Sequence, residues 1–377
     1  MIPEIYSWQP VLTPHQAHTL RALGEALGVP VRAVVAKQED AVRRAQGWAA
    51  IDDSLIAPEL LPAEGARARI GAILDGNPAA VHLFGSPFER SPINAALYGA
   101  VRRRRTMFLM SEPYSPTAVA YLADSAGWRD TMKARLRPLL YGIYAHLLRR
   151  RVCGVFAISP LAVEQYRTMG FGNVYPFGYF VPGDKVTPLA RPVGAPLSVA
   201  YLGSFIARKG VPTLLEAFAT AGVRASGATL TLFGPENVKI RTIDALNVRY
   251  GGALPFGAVQ SALAEFDLLV VPSLYDGWAV VVNEAIQAGI PVLASDTVGA
   301  GTMLTRWNCG ARFRTGDASD LARLLAEISA DRGRLGLWGA NARKLGDILE
   351  PGVAGAHMAA CITSCIDGSL APEAPWY

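Results

Sequence analysis

The sequence predicts an α/β protein made of two doubly wound parallel-sheet domains that face each other across a cleft. Three observations predict it. Strand-like and helix-like segments alternate along both halves of the chain. A stretch rich in proline and glycine, FVPGDKVTPLARPVGAP at 180–196, interrupts the alternation once. The chain has 377 residues, 51% apolar and 18% charged, which is too long for one ordinary core and suits two packed domains. Alternation demands crossovers, crossovers make parallel strands, and helices then cover both sheet faces.

The expected division is a first domain over 1–185, a linker over 186–196, a second domain over 197–345, and a C-terminal helix and tail over 346–377 that pack back toward the first domain. The first half opens with EIYSW, a short strand. PHQAHTLRALGEALG follows with apolar residues at helical spacing and stops at Gly28 and Pro30, residues that end helices. VRAVVA, AAVHLFG and TMFLMSE read as strands. RPLLYGIYAHLLRRR reads as a helix with Leu136, Leu140, Ile143 and Leu147 on one face and Pro138 near its start. CGVFAIS is the next strand and PLAVEQYRTMG the next helix. Beyond the linker the alternation restarts with LSVAYLG, VPTLLEAFATAG, ATLTLFG, VQSALAEF, DLLVVPS, VVVNEAIQAG, IPVLAS and ASDLARLLAEIS.

Charge is uneven. Residues 1–190 hold 21 lysines and arginines against 15 acids, with RRRR at 102–105 and RRR at 149–151, while the remainder is nearly balanced. Such runs are either solvated helix ends or a surface drawn to anionic lipid or a phosphate-bearing acceptor. No recognition motif or aromatic-studded basic sheet accompanies them, so nucleic acid is not an expected partner. The cysteines, Cys153, Cys309, Cys361 and Cys365, have neither zinc nor CxxC spacing and read as reduced core thiols. With no signal-like opening, they point to a cytoplasmic protein. No apolar run approaches the ~18 residues of a membrane helix, so any membrane contact is expected to be peripheral.

Two segments of the second half carry chemistry. In LSVAYLGSFIARKGVPTLLEAF a buried strand ends at Gly203, a loop follows, and Lys209-Gly210 opens a helix. Amide donors and the helix dipole favour an anion there, so a lysine in that place suits a phosphate better than solvent alone. In VPSLYDGWAVVVNEAIQAGIPVLAS a helix lies between two buried strands, with Gly277 and Trp278 forming the turn into it. Helix side chains lean toward the N-terminus, so Glu284 leans back toward the loop that holds Asp276. An ionised carboxylate accepts two hydroxyls at once, which suits a vicinal diol such as a ribose or a hexose. Asp276 is otherwise a helix cap, Glu284 a surface acid and Lys209 a loop lysine.

Residues 197–326 resemble the nucleotide-sugar-binding domain of the GT-B retaining glycosyltransferases of family 4. The resemblance rests on GSFIARKG, on the PS…DGWA…EA…G-PV-AS string, on DTVGAG and on TGDASDLARLL. The first half resembles exopolysaccharide-type members more weakly, through SWQPVLTPHQ. The resemblance implies two Rossmann-like domains and a nucleoside-diphosphate sugar donor, UDP- or GDP-linked, with no other cofactor. It implies Glu284 on the ribose, and Asp276 with the backbone of Gly277, Trp278, Ala279 and Val280 on the donor sugar. Lys209 would hold the diphosphate, with Gly203, Ser204 and Arg208 beside it. Two positions depart from the family pattern: Asp276 replaces a glutamate, and Ser204 an arginine for which Arg208 could substitute. The place where members often carry a donor-facing histidine reads FLMSEPYSP, which offers Glu112; His15 and His82 are other candidates, or structural histidines. No DxD triplet is present, so the expectation is metal-independent transfer to a lipid-linked or polysaccharide-precursor acceptor, with an anionic membrane surface as a further partner. A dehydrogenase is disfavoured by the lack of GxGxxG after an early strand. A sugar-nucleotide epimerase, or a non-catalytic sugar-nucleotide-binding subunit, remains open.

Overall fold

The structure is a computed structural model that describes residues 2–38, 55–85, 92–115, 127–184, 186–189, 192, 194–235, 247–255 and 257–377. Part of the expected linker lies outside these residues. The first half supplies strands β1 (Ile5–Gln9), β2 (Val31–Val35), β3 (Glu59–Leu60), β4 (Val81–Phe84), β5 (Thr106–Ser111), β6 (Gly154–Ile158) and β7 (Val174–Phe177). Its helices are α1 (Pro14–Leu27), α2 (Ala66–Gly76), α3 (Pro92–Arg102), α4 (Trp128–Leu148) and α5 (Pro160–Thr168). The second half supplies β8 (Ser198–Leu202), β9 (Thr229–Phe233), β10 (Val248–Gly252), β11 (Leu268–Val271), β12 (Val292–Ser295) and β13 (Gly310–Phe313). Its helices are α6 (Val211–Phe218), α7 (Ala221–Ala225), α8 (Val259–Leu263), α9 (Val280–Gln287), α10 (Gly301–Arg306), α11 (Ala318–Ala330), α12 (Gly333–Gly346) and α13 (Pro351–Asp367).

The strands form a seven-stranded sheet, order β3-β2-β1-β4-β5-β6-β7, and a six-stranded sheet, order β10-β9-β8-β11-β12-β13. Every pairing is parallel. The central strands VHLF and LLVV are buried at every position, as sheets covered on both faces require. Strand order reverses between β1 and β4 in one sheet and between β8 and β11 in the other. Loops diverge at such points and leave a crevice at the carboxyl ends of the strands.

The chain passes between the sheets at 178–184 and returns at 349–351. Gln287 donates to Val181 O at 2.8 Å, and Glu350 accepts from the Gly183 N–H at 3.0 Å. Helix α13 then packs on α1, so closely that a Cβ on Gly355 would lie 2.5 Å from the Ala22 backbone. Thr13 and Gln16 close a capping box at the start of α1, and Gly28 ends it at φ 65°.

Three expectations are corrected. Helix α4 starts at Trp128, so Pro138 lies inside it instead of near its start. Leu136, Leu140, Ile143 and Leu147 do share a face, but that face is turned to solvent. Cys309 and Cys361 are buried, whereas Cys153 and Cys365 are only partly so; Cys365 Sγ donates to Cys153 O at 3.0 Å, between α13 and the start of β6.

Candidate functional site

After β8 the chain runs through Gly203 into a single turn of 3-10 helix (Ala207–Lys209) and reaches α6 through Gly210. Gly210 has φ 67°, and a Cβ on it would lie 1.9 Å from Pro272 O. Only glycine permits that approach, which presses the β8 loop against the end of β11 on the two sides of the reversal. As a result Lys209 Nζ donates to Asp276 Oδ2 at 2.6 Å, and Arg208 Nη1 lies 3.7 Å from the same oxygen.

Asp276 is 9% exposed. Burial works to raise its pKa; the charges of Lys209 and Arg208, together with the Trp278 N–H, overcome that and hold the carboxyl below its ordinary value. Its backbone is fixed as well. The Asp276 N–H donates to Thr297 O at 3.2 Å, and Asp276 O accepts from the Gly299 N–H at 3.0 Å. Arg208, itself buried, donates from Nη1 to Tyr275 O at 2.9 Å, so it braces this loop from beneath.

The loop turns into α9 at Ala279, which has φ 72° and ψ 82°. A side chain in this left-handed region is strained by roughly 1 kcal/mol or more. Trp278 is what drives the turn. Its ring is buried between the sheets, where a Cβ on Gly178 would meet it at 2.3 Å. Its Nε1 donates to Asn283 Oδ1 at 3.0 Å, and Asn283 Nδ2 donates to Tyr179 O at 2.9 Å. The Trp278 side chain is therefore an anchor at the crossover, and only its backbone borders the cleft.

Glu284 stands in the second turn of α9 and is half-buried. Among the described residues its carboxylate has no hydrogen-bond or ion-pair partner. Desolvation alone pushes its pKa up to about 7.

The facing sheet contributes Glu112 from the end of β5. Its Oε1 accepts from Tyr179 Oη at 2.9 Å. A Cβ on Gly277 would lie 2.6 Å from Glu112 Oε2, so the carboxylate sits directly against the loop of the opposite sheet. Tyr275 Oη donates to Pro113 O at 3.0 Å, tying the same two segments a second time. His15 reaches this group indirectly, its ring packed on Tyr179 at a centroid distance of 4.2 Å.

The structure thus brings Lys209, Arg208, Asp276, Gly277 and Glu112 into one cluster, with Ala279 and Val280 at the adjoining helix start and Glu284 one turn further on. Gly203 and Ser204 line the β8 loop, where Ser204 O accepts from Tyr201 Oη at 2.7 Å. His82 belongs elsewhere. It is buried within the first sheet, its Nδ1 accepts from Trp8 Nε1 at 3.1 Å, and desolvation lowers its pKa to about 4, so it is a neutral core histidine.

Sequence reasoning missed Tyr179, Tyr275 and Asn283. Asn283 left a trace, as a polar residue beside Glu284 in the otherwise apolar run VVVNEA, and Tyr275 stands inside SLYDGW. Tyr179 lies in a segment without periodicity, where nothing marks it. Ser159, at φ 87° after β6, was also missed; a Cβ on Gly299 would approach its Cβ to 2.6 Å.

A family profile described as glycosyl transferases group 1 matches residues 192–345. A GDP-mannose-dependent alpha-mannosyltransferase of Mycolicibacterium smegmatis is 26% identical over 282 residues, 71% of this chain and 69% of that one. The lipopolysaccharide core biosynthesis glycosyltransferase LpsE of Rhizobium meliloti is 30% identical over 149 residues, 38% of this chain and 42% of that one. Among solved structures, Anabaena HepE in complex with UDP superposes with a TM-score of 0.68 at 14% identity, covering 96% of this chain and 100% of that one. WaaG, a glycosyltransferase involved in lipopolysaccharide biosynthesis, gives a TM-score of 0.54 at 17% identity over 96% of this chain and 99% of that one. At such identities the structural likeness is one of fold. Taken with the two facing parallel sheets, these findings describe a glycosyltransferase of the GT-B fold whose residues 192–345 match the group 1 family.

Proposed function

We propose that the enzyme is a retaining, metal-independent glycosyltransferase that moves a sugar from a nucleoside-diphosphate sugar to a lipid-linked or polysaccharide-precursor acceptor at the cytoplasmic face of a membrane. One observation carries the proposal. A cation–carboxylate pair (Lys209–Asp276), a half-buried carboxylate without a partner among the described residues (Glu284) and a carboxylate from the facing sheet (Glu112) all border the crevice at the β8/β11 reversal.

Each group has work to do on such a donor. Glu284 accepts the two ribose hydroxyls, and this gives its isolated carboxylate the donors it lacks in the free protein. Lys209 meets the diphosphate, helped by the amides at the start of α9 around Ala279 and Val280. Asp276 holds Lys209 in place and faces the donor sugar together with the Gly277 backbone. The Trp278 N–H supports Asp276 itself. Gly203 and Ser204 leave the β8 loop open beside the phosphates. Glu112 approaches the sugar from the opposite sheet, where Tyr179 orients it. Catalysis is then orientation plus stabilisation of the departing diphosphate by Lys209 and helix amides, a role a divalent ion plays in other transferases. The relatives' names and the UDP held by HepE support a nucleotide-sugar donor.

The test is a thermal-shift panel of UDP- and GDP-sugars, followed by product formation with the best stabiliser. A ligand that binds only the folded state raises the midpoint as its concentration exceeds its Kd. A panel with no shift, and no donor turnover with any acceptor fraction, would refute the reading.

A further inference from the structure

Helix α4 is 21 residues long and buries only Ala145 and Leu148. An amphipathic helix ordinarily gains its stability from a buried apolar face. Here the large apolar side chains point away from the protein. Trp128 (74% exposed), Met132, Leu136, Leu139 (63%), Ile143 and Leu147 follow one another at spacings of three and four and form one stripe along the helix. More than half the large hydrophobic residues exposed in the described structure lie on this helix.

The residues beside the stripe say what covers it. Arg129, Lys133 and Arg135 are exposed along the helix, and Arg149, Arg150 and Arg151 follow its end, against a single acid, Asp130. Two copies of the chain laid stripe to stripe would set these cations against one another. An anionic lipid surface would satisfy both features: acyl chains accept the apolar side chains and headgroups neutralise the cations. No described helix is long and apolar enough to cross a membrane, so α4 would lie in the plane of the surface over about 30 Å.

We infer that α4 is an in-plane docking element for an anionic membrane surface. The inference deepens the membrane-side acceptor proposed above, because α4 belongs to the half that presents Glu112 and would set that face of the cleft at the lipid boundary. It is tested without turnover. The full chain is sedimented with vesicles of phosphatidylcholine alone and of phosphatidylcholine with phosphatidylglycerol. The expected result is binding to the anionic vesicles that falls by about tenfold or more in Leu139→Ser/Ile143→Ser/Leu147→Ser and in Arg129→Gln/Lys133→Gln/Arg135→Gln. Salt should weaken the wild type toward the second variant. All six positions are exposed, so both variants should keep the wild-type melting temperature and nucleoside-diphosphate affinity. Equal sedimentation of all three proteins would overturn the inference. So would a concentration-dependent dimer that the serine variant dissolves, which would make a second copy the occupant. Failure of the donor reading would look different: vesicle binding intact and nucleotide binding absent.

Discussion

Asp276 and Glu284 are eight residues apart and border one crevice, yet their surroundings push them in opposite directions. Asp276 is nearly inaccessible and ends up more acidic than usual, because two cations and a backbone N–H overcome its burial. Glu284 is more open to solvent, meets no partner among the described residues, and is pushed up to about 7 by desolvation alone. A satisfied carboxylate holds structure together; an unsatisfied one costs the free protein energy that a ligand can recover. On the proposed reading Asp276 belongs to the scaffold that aims Lys209, and Glu284 is the acid that takes the donor's hydroxyls.

The sharpest way to break the comparison is to remove the cation that the scaffold aims. Lys209→Ala should lower turnover by ~10²–10³ while leaving the fold in place, since it deletes a donor to the developing diphosphate charge. Near-full turnover in a steady-state assay would mean the diphosphate is held elsewhere.

Removing the acid of the pair should act on the fold as well as on activity. Asp276→Ala leaves Arg208 buried beside Lys209 without its counter-charge, and the loss should be on the order of 3 kcal/mol in denaturant unfolding. Asp276→Asn should lose less, and Asp276→Glu, which keeps the charge, should retain the most turnover. The sign with pH follows from the depressed carboxyl. Its stabilisation is present above the ordinary value of 3.8 and disappears as acid carries the protein below its folded pKa.

Glu284 should behave in the opposite sense. The unfolded chain releases this proton near 4.5 and the folded chain near 7, so ionisation favours unfolding between those values and above. Glu284→Gln should therefore raise the melting temperature of the ligand-free enzyme above pH 7 and leave it unchanged near pH 4, even as donor affinity falls. The smallest effect belongs to the turn between the two carboxylates. Ala279→Gly should relieve the left-handed strain and stabilise the protein by up to about 1 kcal/mol, read as a shifted unfolding midpoint with unchanged slope.

How much of this was legible in the sequence differs between the two halves. The reversal at β8/β11 is built from local signals: continuous apolar strands, Lys209-Gly210 before a helix, and DGWA before another. Each of those residues sits at a strand end or helix start that its own neighbours mark, so the string could be read even though Lys209 meets Asp276 67 residues further on. Tyr179 and Asn283 are 104 residues apart and join only because the chain crosses between the sheets there. No periodicity records such a contact. Ala279 shows a third limit: its left-handed backbone is imposed by Trp278 and Asn283 through tertiary packing, against the residue's own preference. Helix α4 shows a fourth. Period and spacing identified its apolar stripe correctly, but a hydrophobic pattern says only that a face wants cover, and here the protein does not supply it.

On the proposed reading Glu284 is the unsatisfied acid that takes the donor's ribose. Isothermal calorimetry of UDP and GDP binding, run across a pH window centred on about 7, tests it most directly. The wild type should bind more tightly as pH rises through the window, because the ionised carboxylate is the better acceptor. Glu284→Gln should lie about tenfold or more weaker at the alkaline end and keep only the pH dependence of the nucleotide's own terminal phosphate, which titrates at ~6, in keeping with the loss of charge-assisted hydrogen bonds of about 1.5–3 kcal/mol. Wild-type affinity that is flat across the window and unchanged in the variant would contradict the account.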